Sequence, residues 1–179
     1  MKNSDNLVIF FHGFESSCDT DKFTCINNHA EKLCVPIDYA KDFDNAEAIF
    51  SKVIEENLPK YEYIVLAGHS LGGYFANLLS QKYGLNALLI APCLRPSHYL
   101  GDKIPQIADR NLVAEPSSQI VYAMIEKDDE GLDWHDAEQL LTGKNYNLHY
   151  YEGGHHKICR AGDINMKLDF ALEVPYRLN

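Results

Sequence analysis

Five consecutive apolar residues, Leu7-Val8-Ile9-Phe10-Phe11, set the first pattern in the chain and stop at His12-Gly13. A short unbroken run of β formers closed by glycine reads as a strand buried on both faces. The signature returns at Tyr63 to Ala67, closed by Gly68, and at Ala87 to Ala91, closed by Pro92. Weaker strand patterns lie at Cys34 to Ile37, Gln119 to Ile125 and Tyr146 to Tyr151. The segments between them carry helical spacing. Asp21 to Leu33 places Phe23, Ile26, Ala30 and Leu33 on one side, and Asp44 to Leu58 does the same with Ala46, Ile49, Phe50, Val53 and Ile54 before Pro59. Leu71 to Tyr83 is a predicted helix with Gly84 at a good C-terminal cap. Trp134 to Leu141 and Asp163 to Leu172 complete the helices. Pro92 to Ser118 has weak periodicity and contains Pro92, Pro96, Pro105 and Pro116, so it is expected as a small cap or insertion.

Strands and helices that alternate in this way predict a three-layer α/β/α sandwich around a mostly parallel sheet of about six strands. With 179 residues the chain is expected to form a single domain, 1–179. Folds of this class bind ligands in loops that leave the carboxyl ends of the strands, so candidate chemistry is sought there.

After the strand ending at Ala67 comes Gly68-His69-Ser70-Leu71-Gly72-Gly73. G-x-S-x-G between a strand and a helix is the setting of a nucleophile elbow. The turn exposes its serine at a helix N-terminus, where unpaired N–H groups favour developing negative charge. A serine hydroxyl is a weak nucleophile and needs a base held by an acid. The acid is sought in Glu126-Lys127-Asp128-Asp129-Glu130-Gly131-Leu132-Asp133, where Asp128, Asp129 and Asp133 all remain open. The base is sought in the glycine-bent loop Glu152-Gly153-Gly154-His155-His156-Lys157. Acyl transfer also requires two N–H donors aimed at the forming oxyanion. Leu71, following the nucleophile, supplies one, and Phe14, in the loop after the first strand, the other.

Charge and cysteine content narrow the function further. A net charge of −10 and a pI of about 5.2 argue against nucleic acid or anionic lipid as partners. No apolar run approaches the length of a membrane span. Five cysteines without a C-x-x-C indicate reduced thiols of a cytosolic protein rather than a disulfide framework. His12, His69, His155 and His156 fall near the predicted strand ends with Asp128 and Asp129, but none has helical metal-ligand spacing, so neither metal nor cofactor is expected.

Taken in order, His12-Gly13-Phe14-Glu15-Ser16-Ser17, Ser70-Leu71-Gly72-Gly73-Tyr74, Ala91-Pro92-Cys93-Leu94-Arg95-Pro96, Asp129-Glu130-Gly131-Leu132-Asp133 and Gly153-Gly154-His155-His156 resemble the small bacterial esterases of the YqiA/YcfP type, within the α/β-hydrolase superfamily. The resemblance runs from about Leu7 to Leu172. It implies a minimal α/β-hydrolase fold lacking the first two strands, with Ser70 as nucleophile, Asp129 as acid and His156 as base. Glu126 stands where that group commonly has a glycine. The activity implied is a carboxylesterase or thioesterase, cytoplasmic, acting on a small acyl ester or thioester through an acyl-enzyme, as a monomer or small homo-oligomer. A catalytically silent binding or interaction protein on the same scaffold is the alternative, and a peptidase or cofactor-free haloperoxidase a third reading.

Overall fold

The computed structural model describes residues 5–27, 30–107, 118–154, 156 and 159–174. Its framework follows from β1 (Asn6–Phe11), in which alternate side chains point to opposite faces of a sheet. Leu7, Ile9 and Phe11 enter one apolar cluster while Val8 and Phe10 enter another. An unbroken apolar run is what a strand covered on both faces requires. Around it lie β2 (Glu31–Val35), β3 (Tyr63–His69), β4 (Asn86–Ile90), β5 (Val121–Glu126) and β6 (Tyr146–Tyr151). The order is β2-β1-β3-β4-β5-β6, and every neighbouring pair is parallel.

Two helical layers cover the sheet. On the face of Leu7, Ile9 and Phe11 lie α2 (Tyr39–Asn57), α3 (Leu71–Tyr83) and α5 (Trp134–Leu141). An aromatic group closes this interface, with ring centroids 4.3 Å apart for Phe11 and Phe50 and 5.2 Å for Phe50 and Phe75. The other face packs on α1 (Asp21–Thr24) and α6 (Ala161–Leu172), the latter through Ile164, Leu168, Ala171 and Leu172. The chain leaves β1 for β2 on one side and returns to β3 on the other. The carboxyl ends of β1 and β3 therefore flank a topological switch point, the crevice where open α/β sheets take ligands.

The structure departs from the sequence pattern in four places. The helix expected over Asp21 to Leu33 is reduced to α1, and β2 begins at Glu31, with Leu7 opposite Glu31 and Phe11 opposite Val35. Pairing with β1 overrides a short helical periodicity, and Leu33, placed on the apolar helix side by that periodicity, is 38% exposed. Secondly, α2 starts at Tyr39 because the Asp38 side chain accepts the Ala40 N–H at 3.2 Å and caps it. Thirdly, the expectation of five reduced thiols is corrected. Cys18 and Cys34 form a disulfide with Cα atoms 5.7 Å apart, while Cys25, Cys93 and Cys159 are free. The β1–β2 pairing sets Cys34 beside Phe10, and the loop after β1 brings Cys18 to it. Finally, the irregular segment 92–118 holds α4 (Pro96–Leu100) and a 3₁₀ turn, Pro105–Ile107, while residues 108–117 lie outside those described.

Candidate active site

Ser70 sits between β3 and α3 with φ 54° and ψ −120°, a backbone region that L-residues rarely occupy. Its neighbours hold it there. The Ser70 N–H donates to the Ile90 carbonyl at 3.0 Å, and its own carbonyl accepts the N–H groups of Gly73 at 2.9 Å and Cys93 at 3.0 Å. Strain of roughly 1–3 kcal/mol persists only where such bonds over-determine the backbone. The flanking glycines are obligatory. A Cβ on Gly72 would lie 2.0 Å from the Phe11 carbonyl oxygen, and one on Gly68 would lie 2.2 Å from the Gly72 carbonyl oxygen. The elbow is thus pressed directly onto the end of β1.

The loops after β5 and β6 meet at this elbow. His156 Nε2 lies 3.0 Å from Ser70 Oγ, and His156 Nδ1 lies 2.7 Å from Asp129 Oδ2. The second Asp129 oxygen accepts the N–H groups of Gly131 at 2.8 Å and Leu132 at 2.9 Å. The Asp129 side chain is 3% exposed and that of His156 32%. Burial presses the Asp129 carboxyl toward protonation, but the His156 hydrogen bond and the two backbone N–H groups outweigh it and hold the carboxyl below its ordinary range. An ionised Asp129 fixes the proton of His156 on Nδ1, which leaves Nε2 free to accept one from Ser70.

Asp128 and Asp133, the other acids considered, go elsewhere. Asp128 Oδ2 accepts the Gly153 N–H at 2.7 Å, and Asp133 caps α5, accepting the His135 N–H at 3.0 Å. His155 lies outside the described residues. Leu71, the first residue of α3, is fully buried, and helix geometry leaves its N–H without an intrahelical partner. The loop bearing Phe14 runs against the elbow, since a Cβ on Gly13 would meet Ser70 Cβ at 3.2 Å. Buried His12 stiffens this loop. Its Nδ1–H donates to the Gly13 carbonyl at 2.8 Å, its Nε2 accepts the Ile37 N–H at 3.3 Å, and its carbonyl accepts the Tyr39 hydroxyl at 2.8 Å.

One contributor was not singled out from the sequence as a support of the base. His69 Nε2–H donates to the His156 carbonyl at 3.0 Å, with the two rings 5.0 Å apart. Burial, reinforced by the neighbouring His156, pushes the His69 pKa down to about 3, so it is neutral. No sequence signal marks a side chain whose partner is a backbone carbonyl. Among the described residues no group of three or more His, Cys, Asp or Glu is arranged to hold a metal ion, and no described helix is long and apolar enough to cross a membrane.

The sequence matches the uncharacterised protein family UPF0227 over residues 7–160. Solved structures of similar fold include Est1E from Butyrivibrio proteoclasticus, with a TM-score of 0.78 at 14% identity, covering 96% of this chain and 89% of that one. The esterase Pf2001 from Pyrococcus furiosus aligns with a TM-score of 0.70 at 12% identity, over 95% of this chain and 83% of that one. Mouse α/β hydrolase domain-containing protein 10 gives 0.70 at 14% identity, over 95% and 89%. These similarities establish an α/β-hydrolase fold, here built on six parallel strands.

Proposed function

The chain belongs to UPF0227, and from that membership and its α/β-hydrolase fold we propose that it is a serine hydrolase, a carboxylesterase or thioesterase that cleaves small acyl esters through an acyl-enzyme. The observation that carries this reading is the bridging position of His156, 3.0 Å from Ser70 Oγ and 2.7 Å from Asp129. Ser70 Oγ attacks the acyl carbonyl as His156 Nε2 removes its proton, and Asp129 stabilises the imidazolium that forms. The N–H groups of Leu71 and Phe14 receive the oxyanion. Each such donor is worth on the order of 10²–10³ in rate. His156 then protonates the departing alcohol or thiol, and water, activated by the same nitrogen, releases the acid.

The esterases among the structural neighbours, one of them solved with ferulic acid bound, support the reaction class. The described part of the expected cap, residues 92–107, is assigned to the roof of the site. A cytoplasmic location belongs to the same proposal and requires the Cys18–Cys34 bond to be tolerated or reduced there.

The test is covalent labelling of Ser70 by a fluorophosphonate, alongside turnover of chromogenic acetate and butyrate esters and of acyl-CoA thioesters. Ser70→Ala is expected to abolish labelling and to lower kcat by on the order of 10⁶ while remaining folded. A wild-type protein that neither labels nor turns over any of these substrates would match the silent binding protein and refute the proposal.

A further inference from the structure

A buried carboxyl that the mechanism does not use lies at the end of β5. Glu126 is 2% exposed, among Ala91, Pro92, Ile125, Leu132 and Trp134. The Gly154 N–H lies near, but among the described residues no donor completes a hydrogen bond to either oxygen of Glu126. What does lie within hydrogen-bonding reach is another carboxyl, that of Asp128. Two carboxyls within hydrogen-bonding reach, one of them buried, cannot both be ionised without a large cost, so a proton is expected between them. Asp128 in turn accepts the Gly153 N–H at 2.7 Å. Gly153, at φ 87°, begins the turn that leads to His156.

We propose that Glu126 is a positioning residue: in its protonated form it donates a hydrogen bond to Asp128, and the paired carboxyls hold the Gly153–Gly154 turn that delivers His156 to Ser70. This rests on the serine-hydrolase reading above. Asp128 also precedes Asp129 directly, so one proton ties together the loops that carry the acid and the base. The groups facing Glu126 are Asp128, Asp129 and Asp133 from the acid loop, Tyr151 from β6, and the Gly154 N–H and Arg160 guanidinium from the loop after it. Burial first and Asp128 second raise the Glu126 pKa to about 7, which Gly154 and Arg160 oppose without reversing. When the proton leaves for solvent, two like charges remain side by side. Asp128 turns away, the Gly153 bond loosens, and His156 shifts from Ser70. Activity then falls on the alkaline side.

The experiment is ester turnover followed by pH-stat from about pH 6 to about pH 9.5, for wild type and Glu126→Gln. The substituted amide donates to Asp128 at every pH. Wild-type kcat/KM is expected to drop about tenfold on the alkaline limb, the scale of a sub-ångström misplacement, whereas Glu126→Gln keeps more than about half of its own maximum. If Glu126→Gln does not fold, Asp128→Asn serves, since its amide donates to an ionised Glu126 while its oxygen still accepts the Gly153 N–H. A wild type without an alkaline fall, or an equal fall in the amide variant, overturns the proposal. Infrared difference spectra read the proton independently of turnover: a carboxylic-acid band in the wild type at about pH 6 that vanishes in Glu126→Gln supports the pair, and its absence overturns it. If Ser70 neither labels nor turns over substrate, the hydrolase reading fails and the positioning role falls with it, while the band still reports whether the proton is shared.

Discussion

Replacing Asp129 by Asn changes one atom of the site and tests its chemistry most sharply. Asp129 accepts three hydrogen bonds, two from the backbone of Gly131 and Leu132 and one from His156. The amide oxygen of the substituted residue can keep the first two, so the acid loop retains its shape. The amide nitrogen then faces His156 Nδ1. Two N–H donors cannot share that 2.7 Å separation, so the imidazole moves its proton to Nε2. A protonated Nε2 at 3.0 Å from Ser70 Oγ donates to the hydroxyl and cannot accept from it. Loss of the correct tautomer costs on the order of 10⁴ in kcat, which is about 5 kcal/mol of transition-state stabilisation.

Folding should suffer much less. One charge-assisted bond is exchanged for a neutral one, worth about 1–2 kcal/mol, which is a fall in Tm of about 2–8 °C in a chain of this size. The effect on acid stability has a definite sign. Because the folded Asp129 carboxyl is held below its ordinary 3.8, it contributes stability at neutral pH that is lost as pH falls through that range. The amide variant lacks this contribution at neutral pH and lacks the corresponding acid loss. The assay is ester turnover at neutral pH with thermal melting of the same samples. A folded Asp129→Asn protein within about tenfold of wild-type kcat would refute the reasoning, and Asp129 would then be only a loop brace.

Further outcomes follow from the elbow and its supports. Gly72→Ala should destabilise by about 3 kcal/mol or more, because the new Cβ would stand 2.0 Å from the Phe11 carbonyl oxygen, a backbone atom that cannot yield. Wild-type melting in Gly72→Ala would contradict this. His69, with its pKa lowered to about 3, contributes stability that is complete above its unfolded value near 6.5 and is lost as pH falls toward 3. His69→Gln, whose amide can still donate to the His156 carbonyl, should flatten the fall of Tm across that window. Parallel wild-type and variant curves would show that the buried imidazole is not what titrates.

The layers were legible because burial on both faces leaves a coarse mark. Tyr63 to Ala67 and Ala87 to Ala91 are apolar without interruption, and every residue of β4 is buried. The elbow was legible because Gly68 and Gly72 are required by contacts with rigid backbone. The acid loop was only half legible. Asp128 and Asp129 are chemically identical neighbours, and only the path of the chain sends one to Gly153 and the other to His156. At β2 the sequence pattern misled, because a strand at the sheet edge with two exposed residues lacks the apolar density of its neighbours. The cysteine spacing carried no geometry at all. Residues 18 and 34 meet only because β1 and β2 pair in parallel.

That crosslink also makes the protein's robustness depend on its surroundings. It closes a loop with a sequence separation of 16, and a crosslink over about 15 residues is worth roughly 3 kcal/mol by restricting the unfolded chain. In an oxidising compartment, or after purification in air, this contribution is present. Among millimolar thiols it is withdrawn, and the segment from Gly13 to Cys18 loses its tether to β2. Thermal shift curves recorded with and without reductant therefore report two different proteins, separated by about 6–12 °C for a chain of this length. The reduced curve is the one that describes life in a thiol-rich cell.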